Sequence, residues 1–112
     1  QPKSIGHSYT LPKAISQKTA IFAWIRLLSE MVSVRLRQQN LEAKTVYLTL
    51  ISKSQNLAKQ KTFFEPTFDG FQIYRRCLNI LSPTQFSLNQ IRFVGVSTSN
   101  FKRPERPYLF KD

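Results

Sequence analysis

Lys44-Thr45-Val46-Tyr47-Leu48-Thr49-Leu50-Ile51-Ser52-Lys53 alternates strictly, with Val46, Leu48 and Leu50 on one side and Thr45, Tyr47 and Thr49 on the other. A period of two with β-branched and aromatic residues is a strand with one apolar face. Ser54-Gln55-Asn56 reads as a turn, and Ala58 to Glu65 returns as a hairpin partner carrying Lys59, Lys61 and Phe63 on one side. Pro66 is expected to stop that strand. An apolar sheet face needs a covering layer, and helical periodicity supplies it on both flanks of the hairpin. Upstream, Ile21, Ile25, Leu28 and Val32, flanked by Trp24, Met31 and Leu36, form the stripe of a core-facing helix. Ser16 is its expected N-cap, Ile15 and Ala20 stand at the positions of a hydrophobic staple, and Asn40 after Gln39 suits a left-handed C′. Downstream, Thr67 or Asp69 caps a second helix with Ile73, Tyr74, Cys77, Leu78 and Leu81 buried, and Ser82-Pro83-Thr84 ends it.

Two further strands lie outside the helices. Ser4 to Leu11 alternates and is expected to end at Pro12, but both of its alternating sets are mixed, so its faces stay open. Ile91 to Ser99 puts Val94 and Val96 inward and Phe93, Gly95 and Ser97 on the opposite side. The order is β-α-β-β-α-β, an α+β domain with a four-stranded, mainly antiparallel sheet and two helices on one face. Two helices cover one face only, so the other is left for solvent or a ligand. The alternation assigns Tyr47, Thr49, Lys59, Lys61, Gly95 and Ser97 to that open face. Gly6 and Gly95 sit inside strands beside basic residues, and a strand glycine marks close approach of something to the backbone. Residues 1–100 form the domain, and 101–112 read as a basic, proline-containing tail.

Seventeen Lys and Arg against six Asp and Glu give a net charge of +11 in 112 residues, which calls for anionic partners. No apolar run approaches the ~20 residues of a spanning helix, so membrane insertion is not expected. A single cysteine, Cys77, excludes an internal disulfide and fits a reducing, cytoplasmic setting. Gln1 at the start suggests a piece of a longer chain. The six carboxylates, Glu30, Glu42, Glu65, Asp69, Glu105 and Asp112, are scattered, so no catalytic residue, metal site or cofactor is expected in the chain itself. His7 has no Cys or second His for a metal, Cys77 lies on an apolar stripe, and Trp24, Phe63 and Phe64 could stack bases but sit where packing is the simpler reading.

Lys3-Ser4-Ile5-Gly6-His7-Ser8-Tyr9-Thr10-Leu11-Pro12 resembles the K-S-I-G-H-x-x-T-L-P opening of the little finger domain, the C-terminal DNA-contacting module of Y-family translesion DNA polymerases. The resemblance continues in family order through Lys44-Thr45-Val46, Pro66-Thr67 with Asp69-Gly70, and Ile91-Arg92 with Val94-Gly95-Val96-Ser97. It implies non-specific binding of primer-template duplex for lesion-bypass synthesis in DNA repair. Catalytic domains elsewhere in the parent polymerase, with magnesium, would do the nucleotidyl transfer. Carried over by position, Ser4, Gly6 and His7 on the first strand, Lys59, Lys61 and Thr62 on the third, and Arg92, Gly95 and Ser97 on the last would face the duplex. Phe93 and Ser97 stand where relatives often carry basic residues. The ending Tyr108-Leu109-Phe110 is similar to the peptide by which these polymerases bind a sliding clamp, although its usual glutamine and first leucine are missing; Leu109 and Phe110 are the candidate partner-binding residues, and folding back onto the domain is the other reading. Two rival functions remain: a ferredoxin-like RNA-binding module, against which the stacking-aromatic signature is absent, and a protein-interaction module whose ligand is the clamp.

Overall fold

The computed structural model describes residues 2–105. The alternating strand is realised as β2, Glu42–Ser52, whose Val46, Leu48 and Leu50 are fully buried. Around it stand β1 (Ile5–Ile15), α1 (Lys18–Gln38), β3 (Asn56–Thr67), α2 (Gly70–Leu81) and β4 (Ile91–Lys102), in the expected β-α-β-β-α-β order. The sheet order is β1-β4-β2-β3, and every neighbouring pair is antiparallel. β4 and β2 are therefore central, and β1 and β3 are edges.

Both helices lie on one face. α1 buries Ile21, Ile25, Leu28, Val32 and Leu36, and α2 buries Ile73, Cys77, Ile80 and Leu81, against Ile5, Leu11, Val46, Leu48, Leu50, Ile91, Val94 and Val96 of the sheet. Hydroxyls within this layer are paired with carbonyls, as burial requires: Ser29 Oγ donates to Ile25 O at 2.8 Å, Ser33 Oγ to Phe68 O at 2.6 Å and Thr98 Oγ1 to Ile5 O at 2.8 Å. Burial pushes the Cys77 thiol up to about 12, against a weaker opposing hydrogen bond from Ser29, so it is a protonated core group at neutral pH. Trp24 stacks on Tyr9 with ring centroids 4.5 Å apart, and so belongs to the packing between α1 and β1.

The helix ends follow local chemistry with one exception. Asn40 has φ 54, and Leu41 N–H donates to Leu36 O at 2.9 Å while Asn40 N–H donates to Arg37 O at 3.1 Å, the two bonds of a Schellman ending. Asp69 caps α2 through Gln72 N–H at 2.9 Å. α1, however, starts one residue later than expected, with Gln17 at the N-cap and no side-chain cap. Ser16 is engaged elsewhere, donating to Asn89 Oδ1 at 2.8 Å and accepting from Gln90 N–H at 2.9 Å.

Neither proline ends its strand. Pro12 lies within β1 where the register to β4 shifts between Thr10 and Ile15, and Pro66 lies within β3 where Phe63 to Pro66 bulge out of register with β2. Both are edge strands, where a missing N–H costs no ladder bond. β4 likewise runs to Lys102, past the expected start of the tail, and Phe101 packs against the core. Among the described residues, no helix is long and apolar enough to cross a membrane.

Candidate nucleic-acid interface

Directly opposed residues in an antiparallel sheet point to the same face. The pairings therefore compose the uncovered face row by row: Gly6, Ser97, Tyr47 and Gln60; Ser8, Gly95, Thr49 and Ala58; Thr10, Phe93, Ile51 and Asn56. Ser99, Thr45 and Thr62 continue it, with Thr45 Oγ1 and Thr62 Oγ1 hydrogen-bonded at 2.8 Å. None of these residues is charged. The surface is a floor mainly of glycine, hydroxyl and amide groups, with the apolar Ala58, Ile51 and Phe93 toward one end, and a concavity of about 510 Å³ lies over Ser4, Gly6, Ser8, Thr49, Phe93, Gly95 and Ser97.

The two glycines differ in what requires them. A Cβ on Gly6 would lie 2.8 Å from Ser97 Cβ and 2.9 Å from Val96 O, so the close approach there is made by β4 itself. A Cβ on Gly95 would meet only the Phe93 ring at 3.2 Å and the Cβ atoms of Ser8 and Thr49 at 3.5 and 3.6 Å, opening onto the floor. Of the two, only Gly95 leaves a gap that packing within the sheet does not explain.

The predicted site residues divide accordingly. Ser4, Gly6, Gly95, Ser97 and Thr62 lie on the floor or its margin. Lys59 and Lys61 do not: they pair with Leu48 and Val46 and so point to the helix side, where Lys61 Nζ donates to Asn79 Oδ1 at 2.7 Å and stands over the Phe63 ring. This corrects the expected open-face placement: their charge suggests the solvent face, but pairing with Leu48 and Val46 fixes the opposite parity. His7, opposite Val96, also turns its ring to the helix side, its Nε2 buried and without a hydrogen-bond partner. Burial, and then the neighbouring Arg35 charge, hold the His7 pKa below its ordinary value, which favours the neutral imidazole. Arg35 Nη1 donates to Gly6 O at 3.1 Å, tying α1 to β1.

Arg92 is the extra residue of a bulge, since Ile51 opposes Phe93 while Ser52 opposes Ile91. It lies at the end of the sheet beside Lys13 and Lys53. Ser8, Thr10 and Gln60 also stand on the floor, outside the residues expected from sequence. Strand alternation alone contains them, but only the partner register says which parity is open. Phe63 packs beneath Arg76 and Lys61, whereas Phe64 is 87% exposed on the bulge. Among the described residues no group of three or more His, Cys, Asp and Glu stands together as a metal site. Leu109 and Phe110 lie outside the described residues.

Residues 2–108 match the impB/mucB/samB family C-terminal domain. Among curated proteins, the chain is similar to DNA polymerase IV of Desulfatibacillum aliphaticivorans, 27% identical over 114 residues that cover 98% of this chain and 29% of that protein. It is 30% identical over 105 residues to DNA polymerase IV of Alkaliphilus oremlandii (strain OhILAs), covering 94% of this chain and 26% of the relative. DNA polymerase IV of Streptococcus pneumoniae serotype 2 (strain D39 / NCTC 7466) is 29% identical over 100 residues, with 88% of this chain and 28% of the relative covered. The chain thus spans little more than a quarter of the length of these relatives.

Proposed function

Because the chain belongs to the impB/mucB/samB family of C-terminal domains, we propose that its uncovered sheet face lies along duplex DNA and holds primer-template for a lesion-bypass polymerase. The observation that carries this is the floor itself: a long, uncharged surface, rich in glycine and hydroxyl groups, in a chain of net charge +11. Short hydroxyls bond phosphate and sugar oxygens without reading bases, and Gly95 keeps a backbone approach open. β2, with 11 residues, is ~36 Å long at ~3.3 Å per residue, close to one duplex turn of ~34–36 Å. Cations cluster at the strand ends, with Lys13, Lys53 and Arg92 at one and Lys3, Lys44 and Lys102 at the other. A duplex lying along the strands would meet a neutral floor with phosphate-attracting groups at both ends.

On this reading affinity is electrostatic and sequence-independent. The chemistry and the magnesium belong to catalytic domains elsewhere in a cytoplasmic DNA polymerase, and Leu109 and Phe110 are left as a contact for a sliding clamp. Fluorescence anisotropy with several unrelated duplexes tests it. Equal affinities are expected, with log K falling linearly against log salt. Tighter binding of single-stranded RNA at the same salt, or affinity that ignores salt, would overturn the reading in favour of an RNA-binding or protein-interaction module.

A further inference from the structure

At one end of the sheet the ladders lose register together. β1 slips against β4 between Thr10 and Ile15, and β4 bulges at Arg92 against β2, which ends one residue before Lys53. A cavity of about 440 Å³ opens there, and Lys13, Lys53 and Arg92 line it from three different segments. Its wall is fixed without using those cations: Ser16 Oγ bridges Asn89 Oδ1 and Gln90 N–H, and Gln90 is held at φ 54.

The basic residues elsewhere make a useful contrast. Arg26 pairs with Glu30 and lies over Phe71, Arg35 bonds Gly6 O, Arg76 bonds Glu65 O and covers Phe63, and Arg103 bonds Gln39 O. Lys13, Lys53 and Arg92 have no hydrogen bond, ion pair or ring contact among the described residues, and no carboxylate lines their cavity. Like charges that converge with no internal counter-charge repel one another unless an anion joins them.

We infer that this cavity is a socket for one phosphate group. A guanidinium and two ammonium groups present only donors to it, the complement of phosphate oxygens. The phosphate can be a backbone diester of bound DNA, which rests on the proposed duplex reading, or a free phosphate, which does not. With a diester seated, the socket would fix where along the neutral floor the duplex stops.

The test uses the full chain carrying Lys13→Gln, Lys53→Gln and Arg92→Gln together, beside a charge-matched control on the helix side, Lys18→Gln, Lys59→Gln and Arg75→Gln. Three cations sharing one phosphate neutralise one charge, so the slope of log K against log salt should fall by about 0.9 for the socket variant, and not by the ~2.7 of three separate contacts. The control slope should stay unchanged. Inorganic phosphate, added to ¹⁵N-labelled protein, should shift the Gln90 and Arg92 amides saturably, beyond the effect of sodium chloride at equal ionic strength. An unchanged slope, a fall of ~2.7, or phosphate shifts no larger than those from chloride would overturn the socket. Saturable phosphate shifts with no duplex binding would keep the socket and remove the duplex reading. Duplex binding with neither signature would do the reverse.

Discussion

Gly6 and Gly95 look alike in sequence, each inside a strand beside basic residues, yet the structure gives them opposite mutational signatures. An added methyl at position 6 collides with Ser97 Cβ and the Val96 carbonyl within 2.9 Å, atoms whose positions the backbone fixes and no rotamer change can clear. Gly6→Ala should therefore destabilise the fold by about 1–3 kcal/mol, the usual cost of overpacking. At position 95 the nearest atom is the edge of the Phe93 ring, which can move, and leaving glycine recovers roughly 0.5–1 kcal/mol of backbone entropy. Gly95→Ala should thus fold at least as stably as the parent while putting a methyl on the floor, and its duplex affinity should fall several-fold. Thermal melts and anisotropy on the two variants separate these effects. Unchanged affinity in a well-folded Gly95→Ala protein would detach that residue from any ligand. At this scale the sequence marks both glycines as sites of close approach, but cannot say that at Gly6 the approaching group is Ser97, 91 positions away and brought there by β1–β4 pairing.

Lys59 and Lys61 show the same limit for a whole strand. Along β2 the alternation is self-evident, since only one parity is apolar, and its orientation is legible without a partner. On β3 the inward parity holds Leu57, Lys59 and Lys61, and a charged parity reads as outward until the pairing with Leu48 and Val46 is known. The physical reason is position: β3 is an edge, and lysines on its inner side lie at the margin of the layer and remain exposed. Inward-pointing charge on an edge strand blocks pairing with another chain, and the prolines of β1 and β3 act in the same sense. Lys59→Val with Lys61→Val should leave thermal stability within about 1 kcal/mol of the parent, because surface changes are small. Self-association should nevertheless rise, and sedimentation velocity over a concentration series would show it. A variant that stays monomeric at every concentration would remove the protective role. The late start of α1 has a similar origin. Ser16 carries the right chemistry for an N-cap, but its hydroxyl goes to Asn89 and Gln90, partners that no local window contains.

At the scale of the molecule, the chain carries 17 cations against six carboxylates, and on the duplex reading salt should act on the free and bound forms with opposite signs. In the free chain, unbalanced like charge destabilises the compact state. Shrinking the screening length from ~10 Å at 0.1 M to ~3 Å at 1 M relieves that repulsion, so the melting temperature of the free protein should rise with sodium chloride. With duplex present the fold gains RT ln(1 + [L]/Kd), about 2.7 kcal/mol at a hundredfold excess over Kd. That increment depends on the phosphate contacts that salt dissolves. The duplex-bound melting temperature should accordingly fall with salt and converge on the rising curve of the free protein. Paired melts with and without duplex across a salt series test both limbs at once. If the free protein melted lower in high salt, its few ion pairs, Arg26 with Glu30 and Arg37 with Asp69 among them, would outweigh the repulsion, and the basic surface would have to be counted as internally compensated rather than held open for an anion.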